Sequence, residues 1–165
     1  KAGTYALSET TVAGYTNGTF TCVGGTQNGQ NITVALGESA TCTVTNNDNP
    51  PALHLVKVVV NDNGGTKAPA DWTLTANGGA AGTLAGAGPN VDSGATFKAG
   101  TYALSETTVA GYTNGTFTCV GGTQNGQNIT VSLGESATCT VTNNDNPASL
   151  QLVKVVNNKI GRAHV

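Results

Sequence analysis

Charged and aromatic side chains are scarce in this chain of 165 residues, at 10% and 5%, and methionine is absent. A typical soluble domain carries about 25% charged residues. The formal net charge of -2 provides no basic surface of the kind that binds nucleic acid. No apolar run approaches the ~18 residues of a membrane-spanning helix, and no heptad pattern indicates a coiled coil. We therefore expect neither a nucleic acid partner nor a membrane span in this stretch of chain.

The sequence motifs of common catalytic and metal sites are also missing. There is no Gly-x-Ser-x-Gly, no His-Glu-x-x-His and no paired-carboxylate pattern. His54 has no cysteine or acidic partner close in sequence. Asp62 and Asp145 lie in Asn-rich segments that could offer oxygen ligands to calcium, but without EF-hand spacing the favoured interpretation is solvated turns. We expect no cofactor, no metal and no enzyme that acts on an external substrate.

The main feature that is present is a tandem repeat. Residues 1–49 recur as 98–146 with one change, Ala35 to Ser132, and residues 53–59 recur as 150–156 with His54 replaced by Gln151. The chain thus divides into the C-terminal half of an upstream repeat (1–49, the half unit), one complete repeat (53–146, the complete unit) and the first strand of a downstream repeat (150–158). Proline-containing joints connect them. Residues 159–165 break the repeat and resemble a translated sequencing adapter, so we interpret them as a non-native tail.

Abundant Thr, Val and Gly, with repeated Asn-Gly turns, predict an all-β protein. The complete unit contains about seven short strand patterns separated by turn signals. They cover residues 53–60, 71–76, 95–98, 101–106, 116–120, 128–133 and 136–143, with a weaker signal near 83–84. This pattern predicts tandem β-sandwich repeats of the immunoglobulin-like or prealbumin-like kind.

Strand alternation places three polar side chains on faces otherwise set by core residues. Lys57 shares a face with leucines in the first strand, Glu106 follows Tyr and Leu in a middle strand, and Asn143 follows Cys and Val in the last. Simpler interpretations remain for each. Lys57 could extend its amine to solvent, Glu106 could be exposed or form a plain ion pair, and Asn143 could be a turn residue. If the register is shifted by one, Asn144 takes the place of Asn143.

The four cysteines form two pairs with identical spacing. Each pair spans 20 residues inside one repeat, so the repeat favours Cys22–Cys42 and Cys119–Cys139 among the three possible pairings. Buried free thiols are the alternative. Disulfides would indicate an oxidising, extracytoplasmic compartment.

The segment Tyr102-Ala103-Leu104-Ser105-Glu106-Thr107, followed by Gly111-Tyr112, resembles the Y-x-L-x-E-T...G-Y signature of Cna B-type (SpaA-like, prealbumin-fold) repeats. These repeats form stalks of bacterial surface adhesins and pilins. The segments around Lys57 and Asn143 resemble the first and last strands of that family. The proline that often precedes Gly-Tyr is replaced here by Val109-Ala110.

The resemblance implies an intramolecular isopeptide bond between Lys57 and Asn143, with Glu106 as the proton shuttle. The half unit contains the equivalents Glu9 and Asn46 but no lysine, whereas Lys154 belongs to the downstream strand. Because the complete unit separates these parts, we do not expect them to complete each other within one chain.

These observations predict a structural spacer repeat of a secreted or cell-surface bacterial protein. The implied partners are neighbouring repeats, and a host or matrix ligand bound through domains outside this stretch. The alternative is an extracellular module that binds a glycan or protein through its loops, for which the Gly/Ala-rich residues 77–89 are the candidate region. That region lacks aromatic residues and charge, which disfavours a sugar-binding platform.

Overall fold

The computed structural model describes residues 1–157 and 161, and these form an all-β architecture. Its half unit is a set of short strands. They are β1 (Gly3–Ala6), β2 (Tyr15–Thr16), β3 (Thr21–Val23), β4 (Thr26–Asn28), β5 (Asn31–Val34), β6 (Thr41–Thr43) and β7 (Asn47–Asp48). All pairings within the half unit are antiparallel: β1–β5–β4, β2–β7 and β3–β6.

The complete unit contains ten strands and two short 3-10 turns, Pro69–Asp71 and Gly79–Ala81. Several of the strands have only two or three residues, which is why the sequence pattern indicated fewer. The strands are β8 (Ala52–Val60), β9 (Thr73–Asn77), β10 (Thr83–Ala87), β11 (Asn90–Asp92), β12 (Gly100–Glu106), β13 (Tyr112–Thr113), β14 (Thr118–Val120), β15 (Thr123–Asn125), β16 (Asn128–Val131) and β17 (Ser136–Asp145).

Two sheets pack face to face in the complete unit. One has the order β10-β9-β12-β16-β15, and the other has the order β11-β8-β17-β13, with β14 also paired to β17. The first and last strands, β8 and β17, are parallel neighbours at the centre of the second sheet, and Lys57 lies opposite Val141. The core between the sheets is built from alternate side chains, as period-two patterning predicts. It includes Leu53, Leu55, Leu74, Ala76, Tyr102, Leu104, Ile129, Val131, Ala137, Cys139 and Val141.

One predicted strand is wrong. Residues 95–98 form a turn, closed by a hydrogen bond from the Phe97 N–H to the Gly94 carbonyl oxygen. The Phe97 ring stacks on Tyr102 with 4.6 Å between the ring centroids. The apolar residue that favoured a strand in this segment, Phe97, is therefore explained by the packing of its ring against Tyr102.

The half unit has the sequence of residues 98–146 but a less complete structure. The ten-residue strand β17 corresponds to two separate strands, β6 and β7, in the half unit. Tyr5 is 46% exposed, whereas its counterpart Tyr102 is fully buried. The difference follows because, among the described residues, no strands take the places that β8–β11 hold in the complete unit, where they flank and cover these residues.

A backbone hydrogen bond connects the two units at the joint: the Gly134 N–H donates to the Asn49 carbonyl oxygen at 2.8 Å. Within the complete unit, the N–H of Ala52, the first residue of β8, donates to the Glu135 carbonyl oxygen at 2.8 Å. After the complete unit, residues 150–157 form no strand and are exposed. Asn158 of the predicted downstream strand lies outside the described residues, as does the proposed tail apart from Gly161. No helix in the described part of the chain is long and apolar enough to span a membrane.

Candidate functional site: a buried Lys-Glu-Asn cluster

Strands from both sheets carry the three polar residues predicted from strand alternation. Lys57 comes from β8 and Asn143 from β17, which are parallel neighbours, while Glu106 ends β12 in the facing sheet. Lys57 is 2% exposed and Asn143 is fully buried. The side chain of Glu106 is 4% exposed. All three therefore point into the sandwich rather than toward solvent.

Lys57 and Glu106 form a buried ion pair. The Lys57 Nζ donates a hydrogen bond to Glu106 Oε2 at 2.5 Å. The same Nζ lies 4.8 Å from the centroid of the Trp72 ring, in cation–π geometry. Trp72 is itself fully buried, so it excludes solvent from one side of the amine.

Burial lowers the pKa of the Lys57 amine. This effect outweighs the hydrogen bond and the charge of Glu106, both of which raise that pKa. The neutral, nucleophilic form of the amine is therefore more accessible than in a lysine exposed to water.

Asn143 lies two residues beyond the position opposite Lys57, on the same face of the parallel pair. Its Oδ1 accepts a hydrogen bond from the Gly115 N–H at 2.8 Å. Within the described residues, the buried atoms Asn143 Nδ2 and Glu106 Oε1 have no hydrogen-bond partner. Asn144, the alternative acceptor, is exposed and lies outside the cluster.

Two glycines allow the backbone to approach this cluster. A Cβ atom on Gly115 would lie 2.1 Å from the carbonyl oxygen of Thr142, so only glycine lets the N–H reach Asn143. A Cβ atom on Gly88 would lie 2.9 Å from the Lys57 Cβ and 2.5 Å from the Pro69 carbonyl oxygen. Sequence reasoning assigned Gly115 only to an Asn-Gly turn and gave Gly88 no role, because neither pattern points to Asn143 or Lys57.

The half unit shows the same site without its lysine. There, Asn46 Nδ2 donates to Glu9 Oε2 at 2.9 Å, and the Gly18 N–H donates to Asn46 Oδ1 at 2.8 Å. The carboxylate at this position thus bonds to lysine in the complete unit and to the asparagine amide in the half unit. We infer that both groups fall within reach of one carboxylate.

Both disulfides have the predicted pairing, Cys22–Cys42 and Cys119–Cys139. Cys119 and Cys139 face each other directly across the β14–β17 ladder. Their bond lies on the opposite edge of β17 from β8, and on the strand that carries Asn143.

Asp145 is buried, so its interpretation as a solvated turn residue is wrong. Its carboxylate accepts hydrogen bonds from the backbone N–H groups of Asp62, Asn63 and Gly65. Burial raises its pKa, but the hydrogen bonds from Gly65, Asn63 and Asp62 outweigh this and hold the pKa below its usual value. The carboxylate oxygens thus anchor the turn after β8. The only sequence signal was that Asp145 shares the inward alternation of Asn143.

His54 is partly exposed, and its Nδ1 lies 2.7 Å from the Asp92 carboxylate in the neighbouring strand β11. His54 precedes Lys57 by three residues in β8, so its side chain lies on the opposite face of the strand from the Lys57 cluster. No group of three or more His, Cys, Asp or Glu side chains in the described part of the chain is arranged to hold a metal ion.

Two comparisons with known proteins, one with solved structures and one with family profiles, returned a match. A solved structure of the major pilin protein T3.2 from Streptococcus pyogenes aligns with a TM-score of 0.47 and 15% identity, covering 88% of this chain and 68% of the pilin chain. No curated protein sequence matches the chain. A family profile described as a prealbumin-like fold domain of the SpaA type matches residues 1–44 and 48–141. The chain therefore belongs to the SpaA-like prealbumin-fold family.

Proposed function

We propose that the complete unit is a structural spacer repeat of a secreted or cell-surface bacterial protein, stapled by an isopeptide bond between Lys57 and Asn143. The observation that carries the proposal is the buried Lys57–Glu106 pair, with Asn143 on the same face of the adjoining parallel strand. The near-identity of the repeated segments supports a role in which each repeat does the same structural task.

The cluster supports a self-contained reaction. The Lys57 amine nitrogen attacks the side-chain carbonyl carbon of Asn143 and passes a proton to Glu106. The bond between that carbon and Nδ2 then breaks, Glu106 returns a proton to the departing nitrogen, and one ammonia leaves. One Lys–Asn amide remains, and no oxidant, reductant or cofactor is consumed.

Three surrounding features favour this reaction. Burial makes the neutral amine accessible. The Gly115 N–H, 2.8 Å from Asn143 Oδ1, polarises the carbonyl and stabilises the oxyanion that forms during attack. The leaving nitrogen has no hydrogen-bond partner within the described residues, so none has to be broken.

The bond would complete a covalent frame around the last strand. β17 is already joined to β14 on one edge by Cys119–Cys139. The isopeptide bond would join it to β8 on the other edge. A strand held on both edges suits a spacer that must keep its shape outside the cell.

The test is the intact mass of the full chain after reduction and denaturation. We expect a deficit of one ammonia, lost in Lys57→Met and in Glu106→Gln. Glu9→Gln is the matched control, because Glu9 occupies the same position in a unit without lysine, and it should keep the deficit. The full expected mass in the unsubstituted chain would rule out the bond.

A binding role is tested separately. Residues 77–89, the candidate loop region, contain the 3-10 turn Gly79–Ala81 and the strand β10, which lies at a sheet edge next to β9. Specific capture of the chain on a glycan array or on matrix proteins would contradict a pure spacer role. We expect no such binding from this stretch of chain.

A further inference from the structure

We propose that two turns, one at each end of a repeat, dock onto each other and fix successive repeats in a single orientation. The exit turn comprises residues 12–15 in the half unit and 109–112 in the complete unit, and the entry turn comprises residues 132–135. The proposal goes beyond the spacer function, because it concerns the angle between repeats. It does not depend on the isopeptide bond.

Both docking turns are tight and contain glycine. A backbone hydrogen bond of 3.1 Å joins the first and fourth residues in 12–15 and again in 132–135. Gly14 has a φ of +81° and Gly134 a φ of +71°, in the left-handed region that favours glycine. The shape of each turn is therefore set within its own unit.

The two turns meet backbone to backbone. A Cβ atom on Gly14 would lie 2.6 Å from the Leu133 Cβ and 2.9 Å from the Leu133 carbonyl oxygen. Beside this contact, the Gly134 N–H donates to the Asn49 carbonyl oxygen at 2.8 Å. Any side chain at position 14 would push the units apart, so glycine is required there for the turns to dock.

The connecting peptide is held at both ends by the entry turn. Asn49 and Ala52 each form a backbone hydrogen bond of 2.8 Å to that turn. Only Pro50 and Pro51 lie between them, and the proline ring fixes φ at both positions. Pro51 is also buried. The connection therefore has little freedom to let one unit swivel against the other.

The surface that receives the entry turn has the same geometry in both units. The asparagine after the last strand donates its N–H to the carbonyl oxygen of the exit-turn glycine at 2.8 Å, Asn49 to Gly14 and Asn146 to Gly111. A threonine hydroxyl donates to the side-chain oxygen of each asparagine, at 2.7 and 2.6 Å. Each unit therefore builds this surface from its own residues. The partner that fits it is the entry turn of a second repeat.

The entry turn tolerates the one difference between residues 1–49 and 98–146. The Ser132 N–H donates to Glu135 Oε2 at 2.7 Å, and the equivalent Ala35 N–H donates to Glu38 Oε2 at 2.9 Å. Both bonds use the backbone of the substituted residue, so serine and alanine build the same turn. Repeats that differ at this position can dock in the same way.

The test is amide hydrogen exchange at Gly134, followed by NMR in the full chain. Gly37 is the internal reference, because it also follows a leucine in the same turn and a Cβ atom there would meet nothing within 4 Å. We expect the Gly134 N–H to exchange about tenfold more slowly than that of Gly37, because it donates across the joint. Equal exchange rates would overturn the proposal.

Gly14→Ala should remove the protection of Gly134, because the added Cβ clashes with Leu133. Gly111→Ala is the matched control and should keep it. Gly111 has a φ of +84°, so alanine is strained there to a similar degree, but its Cβ would meet nothing within 4 Å. Amides of the β1–β5 ladder report whether the half unit stays folded. Unchanged protection of Gly134 in Gly14→Ala would contradict the proposed contact.

Residual dipolar couplings of the unsubstituted chain provide a second measurement that needs no variant. If the turns dock as proposed, one alignment tensor should fit the backbone N–H vectors of both units in the orientation of this structure. Weaker alignment of the half unit than of the complete unit would mean that the units swivel independently, and the proposal would fail.

Discussion

Glu9 accepts a hydrogen bond from the side-chain amide of Asn46 at 2.9 Å, in a unit where no described residue takes the place of Lys57. In the complete unit the equivalent carboxylate, Glu106, accepts from Lys57 instead. One chain thus contains the acceptor site both with and without its nucleophile. The half unit is for this reason an internal control for every experiment on the cluster.

Removing one member of the Lys57–Glu106 pair should destabilise the complete unit more than removing both. Lys57→Met leaves a buried carboxylate unpaired, which costs about 3–5 kcal/mol. The double variant Lys57→Met/Glu106→Leu removes both charges and should recover part of that loss. Neither variant can form the isopeptide bond, so the difference between their unfolding free energies measures the effect of the unpaired buried charge.

Urea unfolding followed by Trp72 fluorescence measures this difference, because Trp72 is the only tryptophan and is buried in the complete unit. A double variant that is no more stable than Lys57→Met would show that the buried Glu106 carboxylate does not destabilise the unit when it has no lysine partner.

Acid should weaken the contact between β17 and the turn after β8. The pKa of Asp145 is held below its usual value, so its stabilising effect is fully present above about pH 4, the unfolded pKa. That effect is lost as the pH falls through the folded pKa. The Asp145→Asn variant lacks this titrating carboxylate, so the unfolding free energy of the variant should depend less steeply on pH in the acid range.

Asp48→Asn is the control, because Asp48 is the exposed counterpart of Asp145 in the half unit. Thermal unfolding at a series of pH values provides the comparison. Parallel acid profiles for the original chain and Asp145→Asn would contradict this role.

Gly115→Ala should disturb both packing and chemistry. A Cβ atom there would lie 2.1 Å from the Thr142 carbonyl oxygen, so the strand must shift. We expect the unfolding free energy to fall by about 1–3 kcal/mol, as is typical of overpacking. The mass deficit of one ammonia should also disappear, because the N–H no longer reaches Asn143. Gly94→Ala is the control, since a Cβ atom at Gly94 meets nothing within 4 Å. Retention of the full deficit in Gly115→Ala would exclude a role for this N–H.

Loss of the Cys119–Cys139 disulfide should lower the unfolding free energy of the complete unit by roughly 3 kcal/mol, because the bond closes a loop of 20 residues. The double alanine variant, monitored by Trp72 fluorescence, measures this loss. Replacing Cys22 and Cys42 in the same way should leave that signal nearly unchanged. Equal effects of both replacements would mean that the two units unfold together.

Strand alternation and the repeat were sufficient to predict the buried positions of Lys57 and Asn143 and the pairing of the cysteines. These features depend on local period and on comparison between repeats, which sequence displays directly. The anchoring role of Asp145 could not be predicted, because its partners lie 80 to 83 residues earlier and are backbone N–H groups. The position of Trp72 beside Lys57 could not be predicted either, because this contact depends on how the two sheets face each other.

The parallel arrangement of β8 and β17 also determines how far each repeat extends the chain. The polypeptide enters the unit beside Ser136 and leaves it after Asp145, at the other end of the same ladder. Each repeat therefore advances the chain by about the length of a ten-residue strand, roughly 33 Å, instead of returning it to its starting side. Gain or loss of one repeat in the gene would then change the reach of the protein in discrete steps of about this size.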